Sequence, residues 1–253
     1  MEKGYDLKED LEFGAIGSLK KYYNELIEIL KEVDVESIEN VLNVLRNASD
    51  NGKTIYVIGN GGSASTAEHY VNDFMKIGGL KAVSLTNISV ITALGNDISY
   101  EDIFVEQLKT VMSDGDVVIG ITGSGNSMNI VKALEYVRDN KGVAVGILGF
   151  DGGKCLDVLR GENCNHVLIK SRDYGYVEDV HLSLSHCLSR NVNCREEDFD
   201  NVENSVTEEK SKIIEFDGIV EDKLSEKDKI EEENFENKSE KVESRGFGSW
   251  SNY

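Results

Sequence analysis

Residues Thr54 to Asp73, TIYVIGNGGSASTAEHYVND, constrain the fold of this chain more than any other stretch. A short β-branched, apolar run, Thr54–Ile58, leads into Gly59-Asn60-Gly61-Gly62-Ser63 and then into good helix formers. The pattern reads as strand, glycine-rich turn, helix. Backbone N–H groups at the start of such a helix have no intrahelical partner, and the helix dipole adds partial positive charge. The turn therefore suits a phosphate as well as a plain tight reversal. Gly61 and Gly62 allow close approach or positive φ, and Ser63 is a candidate cap that also offers a hydroxyl. The spacing is neither the dinucleotide G-x-G-x-x-G nor the P-loop, which ends in Gly-Lys-Ser/Thr.

From Thr54 onward, apolar strands and helical patterns alternate. Strands are expected at Thr54–Ile58, Ala82–Leu85, Asp116–Ile121, Val143–Leu148 and His166–Ile169. Helices are expected at about 63–77, 88–95, 100–113, 127–140 and 176–191. Such alternation predicts an α/β fold, a five-stranded doubly wound parallel sheet covered on both faces. Ligands of such sheets collect at the carboxyl ends of the strands near the topological switch point. Ahead of the sheet, residues 15–50 read as one or two amphipathic helices, with Leu19, Tyr22, Tyr23, Leu26, Ile27 and Leu30 at helical spacing. That surface can pack on the core, form an oligomer contact, or do both.

Charge divides the chain. Residues 195–253 carry 19 Asp/Glu against 9 Lys/Arg, whereas the first 194 carry 28 against 18. The acidic segment has few apolar anchors, so the expected organisation is a domain over 1–194 and a charged, flexible tail over 195–253. Within the tail, Lys212–Val220 and the final GFGSWSNY are the apolar islands. A net charge of −20 argues against a general nucleic-acid surface. No apolar run approaches the length of a membrane span, and MEKGYDLKEDLEF does not read as a signal peptide. Cys155, Cys164, Cys187 and Cys194 show no C-x-x-C pairing, which fits idle thiols in a reducing cytoplasm.

A second hydroxyl-rich strand-to-helix turn, Gly120-Ile121-Thr122-Gly123-Ser124-Gly125-Asn126-Ser127, makes a polar phosphosugar pocket the better reading of both turns. Gly95-Asn96-Asp97 is a third polar spot, where Asp97 either meets sugar hydroxyls or caps the helix near Tyr100. His69 and Asp73 share one helix face, a spacing suited to a metal site, an acid/base pair or an ordinary surface pair. YGYVEDVHLSLSHCLSRN, residues 174–191, adds Glu178, Asp179, His181 and His186. By helical angle Asp179 shares the face of His186 better than Glu178 does, and geometry alone does not choose between them. His166 reads as structural.

GNGGSASTAEHYVND, LGNDISYEDIF, GITGSGNS, GFDGGK and YGYVEDVHLSLSH occur in the order seen in sugar isomerase (SIS) domain proteins, and the chain resembles the phosphoheptose isomerase branch over about residues 15–192. The resemblance implies the flavodoxin-like, three-layer SIS fold. It also implies an aldose–ketose isomerase converting sedoheptulose 7-phosphate to D-glycero-D-manno-heptose 7-phosphate for surface-polysaccharide heptose. By that resemblance Asn60, Gly61, Gly62 and Ser63 line the substrate site, and Asn96 and Asp97 contact sugar hydroxyls. Thr122, Gly123, Ser124 and Ser127 hold the phosphate. A divalent metal, zinc in most relatives, falls on His69, Asp73, Glu178 and His186, which selects Glu178 over Asp179. Catalysis falls on Asp73, Glu178 and His186, with Glu178 also at the substrate. A cytoplasmic homotetramer is implied, with no nucleic-acid or membrane partner. This sequence departs from the family in carrying Asp73 where the isomerase has Glu, Glu178 where it has Gln, and Gly123 where Thr is common. The rival reading is a non-catalytic SIS module that binds a phosphosugar or assembles with partners.

Overall fold

The computed structural model describes residues 7–194, with side chains from Ile16 onward. The expected acidic tail, including both apolar islands, lies outside the described residues.

The first two elements are helices, α1 (Leu7–Lys31) and α2 (Val35–Asp50). They are separated where Asp34 caps α2, its Oδ1 accepting from the Glu36 N–H at 3.1 Å. The strand–helix alternation then follows: β1 (Ile55–Gly59), α3 (Gly62–Lys76), β2 (Ala82–Ser84) and α4 (Ile88–Asp97). A single 3₁₀ turn, Tyr100–Asp102, leads into α5 (Ile103–Val111). β3 (Val117–Thr122), α6 (Met128–Asp139), β4 (Val143–Gly149), α7 (Gly153–Val158), β5 (Cys164–Ile169) and α8 (Tyr174–Asn191) complete the domain.

All five strands are parallel, in the order β2-β1-β3-β4-β5. Alternate residues feed opposite faces. Ile55 and Val57 join Tyr70, Phe74, Val177, Val180 and Leu184 of α3 and α8 in one core. Tyr56 and Ile58 join Phe104, Leu108, Ile130 and Leu134 of α5 and α6 in the other. Strands buried on both faces explain why each reads as a continuous apolar run. The strand order reverses at β1 and β3, so the loops after Gly59 and Thr122 open at the switch point.

Three local expectations change. The 88–95 helix runs on through Asp97, so Asp97 ends α4 and does not cap the following turn, whose N-cap is Ser99. Ser63 lies inside α3, whose N-cap is Gly61 with no side-chain cap. α7, in the GFDGGK region, was not anticipated. Arg46 of α2 closes the described domain, donating to the carbonyl oxygens of Asn191 (3.1 Å), Val192 (3.3 Å) and Cys194.

Candidate active site

α3 and α8 lie side by side and carry most of the reactive groups. The i,i+4 spacing puts His69 and Asp73 on the α3 face that meets α8. The Asp73 carboxylate is buried, at 5% exposure. Its Oδ2 lies 3.2 Å from His69 Nε2 and 3.6 Å from His186 Nε2, and the two imidazole nitrogens are 3.0 Å apart. Ser185 Oγ donates to the same Oδ2 at 2.9 Å, and Asn72 Nδ2 donates to Oδ1 at 3.1 Å.

Those separations test whether the residues fit a metal. Zinc bonds of about 2.0–2.1 Å in a tetrahedron place donor atoms about 3.3–3.4 Å apart. The three observed spacings scatter around that value, with two imidazole nitrogens and one carboxylate oxygen converging on one face. The donor set suits zinc or another borderline divalent ion.

Glu178 does not join this trio: among the described residues, the donor atoms within 4.8 Å of one another are those of His69, Asp73 and His186. The Glu178 carboxylate instead lies over Gly62 at the start of α3. A Cβ on residue 62 would fall 2.8 Å from Glu178 Oε2, so the absent side chain gives the carboxylate its place. Glu178 makes no hydrogen bond or ion pair with any described residue. Asp179, the better partner by helical angle, is drawn the other way and accepts from Tyr22 Oη of α1 at 2.7 Å. Burial, with this bond to Asp179 second, holds the Tyr22 phenol well above its ordinary pKa.

Both glycine-rich turns stand at the switch point. Asn60, after β1, exchanges reciprocal amide hydrogen bonds with buried Asn129 of α6, at 2.9 and 2.8 Å. Tyr100 Oη also donates to Asn60 Oδ1 at 2.9 Å. In the second turn, Thr122 Oγ1 accepts from the Gly125 N–H at 3.2 Å and Ser124 Oγ from the Asn126 N–H at 3.3 Å. Ser127 is the N-cap residue of α6 without a side-chain capping bond, and among the described residues neither its hydroxyl nor that of Ser63 has a hydrogen-bond partner. The turn is braced by the start of α7, where Lys154 N–H donates to Asn126 Oδ1 at 3.3 Å.

Gly123 is the departure noted in the second turn, at a position where the resemblance makes Thr common. Here a Cβ would lie 2.9 Å from Cε1 of Tyr174, the first residue of α8, whose ring also meets Phe150 edge-on at 4.7 Å. An aromatic wall thus fills the space a side chain at 123 would take. Asn96 and Asp97, at the end of α4, are exposed, and Asn96 Nδ2 donates to Asp97 Oδ1 at 2.7 Å. His166 sits in β5 outside the trio, its pKa lowered by burial. His181 is buried at 1% exposure on α8, and burial pushes its pKa down to about 4, with the nearby Leu148 backbone partly opposing the shift. Neither ring nitrogen of His181 has a hydrogen-bond partner of normal geometry among the described residues.

Asn129, Tyr100, Tyr174 and Ser185 were not singled out from sequence. Tyr100 and Ser185 lie inside recognised motifs, but only the fold shows that they touch Asn60 and Asp73.

A profile of the SIS domain matches residues 21–149. The phosphoheptose isomerase of Aneurinibacillus thermoaerophilus is 34% identical over 171 residues, spanning 65% of this chain and 80% of that protein. That of Geotalea daltonii is 38% identical over 155 residues, spanning 58% and 78%. Among solved structures, a phosphoheptose isomerase from Neisseria gonorrhoeae superposes with a TM-score of 0.65 at 26% identity, covering 70% of this chain and 97% of that one. One from Francisella tularensis, at 24% identity and a TM-score of 0.66, covers 72% and 100% and shares the fold.

Proposed function

Because this chain belongs to the SIS domain family, in its phosphoheptose isomerase branch, we propose that it interconverts sedoheptulose 7-phosphate and D-glycero-D-manno-heptose 7-phosphate. The observation that carries this reading is the face of three donor atoms from His69, Asp73 and His186, on the helix pair that also brings Glu178 to the first glycine turn.

The phosphate takes the second turn, where the Ser124 and Ser127 hydroxyls and the first N–H groups of α6 face a bound anion. Asn60, held by Asn129 and Tyr100, orients the sugar with Gly61, Gly62 and Ser63. Asn96 and Asp97 reach the distal hydroxyls. His69, Asp73 and His186 hold a divalent ion, zinc by donor type. Bound there, the ion would supply Lewis-acid polarisation of the sugar carbonyl.

Both Asp73 oxygens are engaged, so this carboxylate serves the cluster. Proton removal from the carbon beside the carbonyl falls to Glu178, whose oxygens are uncommitted, and the same group returns the proton to the neighbouring carbon. The second proton passes between the two substrate oxygens as the enediol forms and collapses, with Nδ1 of His186, the ring nitrogen outside the donor trio, as its carrier.

Exposed apolar side chains on α1 (Ile16, Leu19, Tyr23, Ile27, Leu30) and near α4 (Ile88, Val90, Ile98, Tyr100) support association into a homotetramer. All four cysteines are free thiols, which favours a reducing cytoplasm. No helix among the described residues is long and apolar enough to cross a membrane. The acidic segment from Arg195 stands as a separate tail in this reading.

Glu178→Gln and Asp73→Asn, assayed for turnover and for zinc content, test the division of labour. Both variants are expected to lose turnover, with Glu178→Gln retaining stoichiometric zinc and Asp73→Asn losing it. Full turnover in Glu178→Gln would overturn the assignment of the base.

A further inference from the structure

We propose that Ser185 is a positioning residue, setting the reach of the Asp73 carboxylate toward the two histidines. The inference rests on the metal-site reading given above. Ser185 lies on α8 one residue before His186 and is fully buried, at 0% exposure. Its described side-chain bond is the 2.9 Å donation to Asp73 Oδ2, the oxygen that also faces His69 and His186. A buried hydroxyl aimed at the ligating oxygen fixes the carboxylate rotamer before an ion arrives. Partners of this kind are typically worth about ten- to a hundredfold in metal affinity.

The pairing also fits the length of the carboxylate. A glutamate at 73 would carry its oxygens about 1.5 Å further from α3, one C–C bond length. The Asp73 oxygen already meets Ser185 Oγ at hydrogen-bond distance. A longer side chain could not keep that oxygen in place without displacing the hydroxyl or folding away from it. Ser185 and Asp73 therefore act as a matched pair: the shorter acid leaves room for the donor, and the donor holds the shorter acid.

The test is a double-mutant cycle on the full chain, made of wild type, Ser185→Ala, Asp73→Glu and the double variant. Zinc affinity is measured by competition with a chromophoric chelator, alongside kcat and KM. Thermal midpoints of the zinc-free proteins confirm that each is folded. Ser185→Ala in the wild-type background is expected to weaken zinc binding about ten- to a hundredfold and to lower kcat more than KM changes. In the Asp73→Glu background the same substitution is expected to have no cost, or to strengthen binding. Equal zinc affinity in wild type and Ser185→Ala would overturn the proposal, as would losses that simply add in the double variant. Failure of the wild type itself to bind zinc would instead overturn the metal-site reading beneath it.

Discussion

His181 offers a stability prediction whose size follows from its surroundings. The ring is buried among the α8 contacts to α3 and β4, with neither nitrogen normally hydrogen-bonded, and its pKa falls from 6.5 to about 4. In the unfolded chain the imidazole binds a proton near its ordinary value, so between those two pKa values the unfolded state binds more protons than the native one. Stability from this group is present above the unfolded pKa and drains away as pH falls toward the native one. Going from pH 7 to pH 5, this linkage removes about 2 kcal/mol, a large share of a domain's net stability. The assay is urea unfolding of the zinc-free protein across that interval, for wild type and His181→Leu. Other titrating groups contribute to both curves, so the difference between the curves isolates His181. The variant is expected to lose about one proton of pH dependence, and the wild-type curve should fall relative to the variant's by roughly 2 kcal/mol toward acid. Parallel curves would refute the argument.

Two further substitutions probe the glycine turns. Gly62→Ala places its Cβ 2.8 Å from Glu178 Oε2 and should push the carboxylate aside, lowering kcat by about a hundredfold while leaving zinc binding intact. Unchanged kcat would show that Glu178 acts elsewhere. Gly123→Thr would bring a Cβ to 2.9 Å from the Tyr174 ring and should raise KM for the phosphosugar, with Tyr174→Ala in the same chain restoring it. A KM that stays raised in the double variant would place the defect in the turn itself rather than in the aromatic wall.

Much of this architecture is legible in the sequence, because parallel strands buried on both faces are short apolar runs and the glycine turns punctuate them. The five strands stand within a few residues of their expected positions. His69 and Asp73 could be paired from helical spacing alone. What spacing could not decide is which acid of α8 turns toward the site. A helical wheel favours Asp179, but Tyr22 of α1 takes that carboxylate, and Glu178 settles where Gly62 leaves space. Long-range contacts of this kind leave no periodic signal. The same holds for Asn129, which reads as an ordinary helical residue until β1 and β3 lie side by side and bring Asn60 to it. α7 escaped notice because six residues opening on one glycine, with a second glycine as the N-cap, carry too little helical pattern to read.

The most direct measurement is isomerisation of sedoheptulose 7-phosphate by the purified full chain, as isolated, after treatment with a chelator, and after zinc is restored. The account predicts turnover to D-glycero-D-manno-heptose 7-phosphate that falls on chelation and returns with zinc. Absence of turnover under every metal condition, from protein shown to be folded, would contradict it.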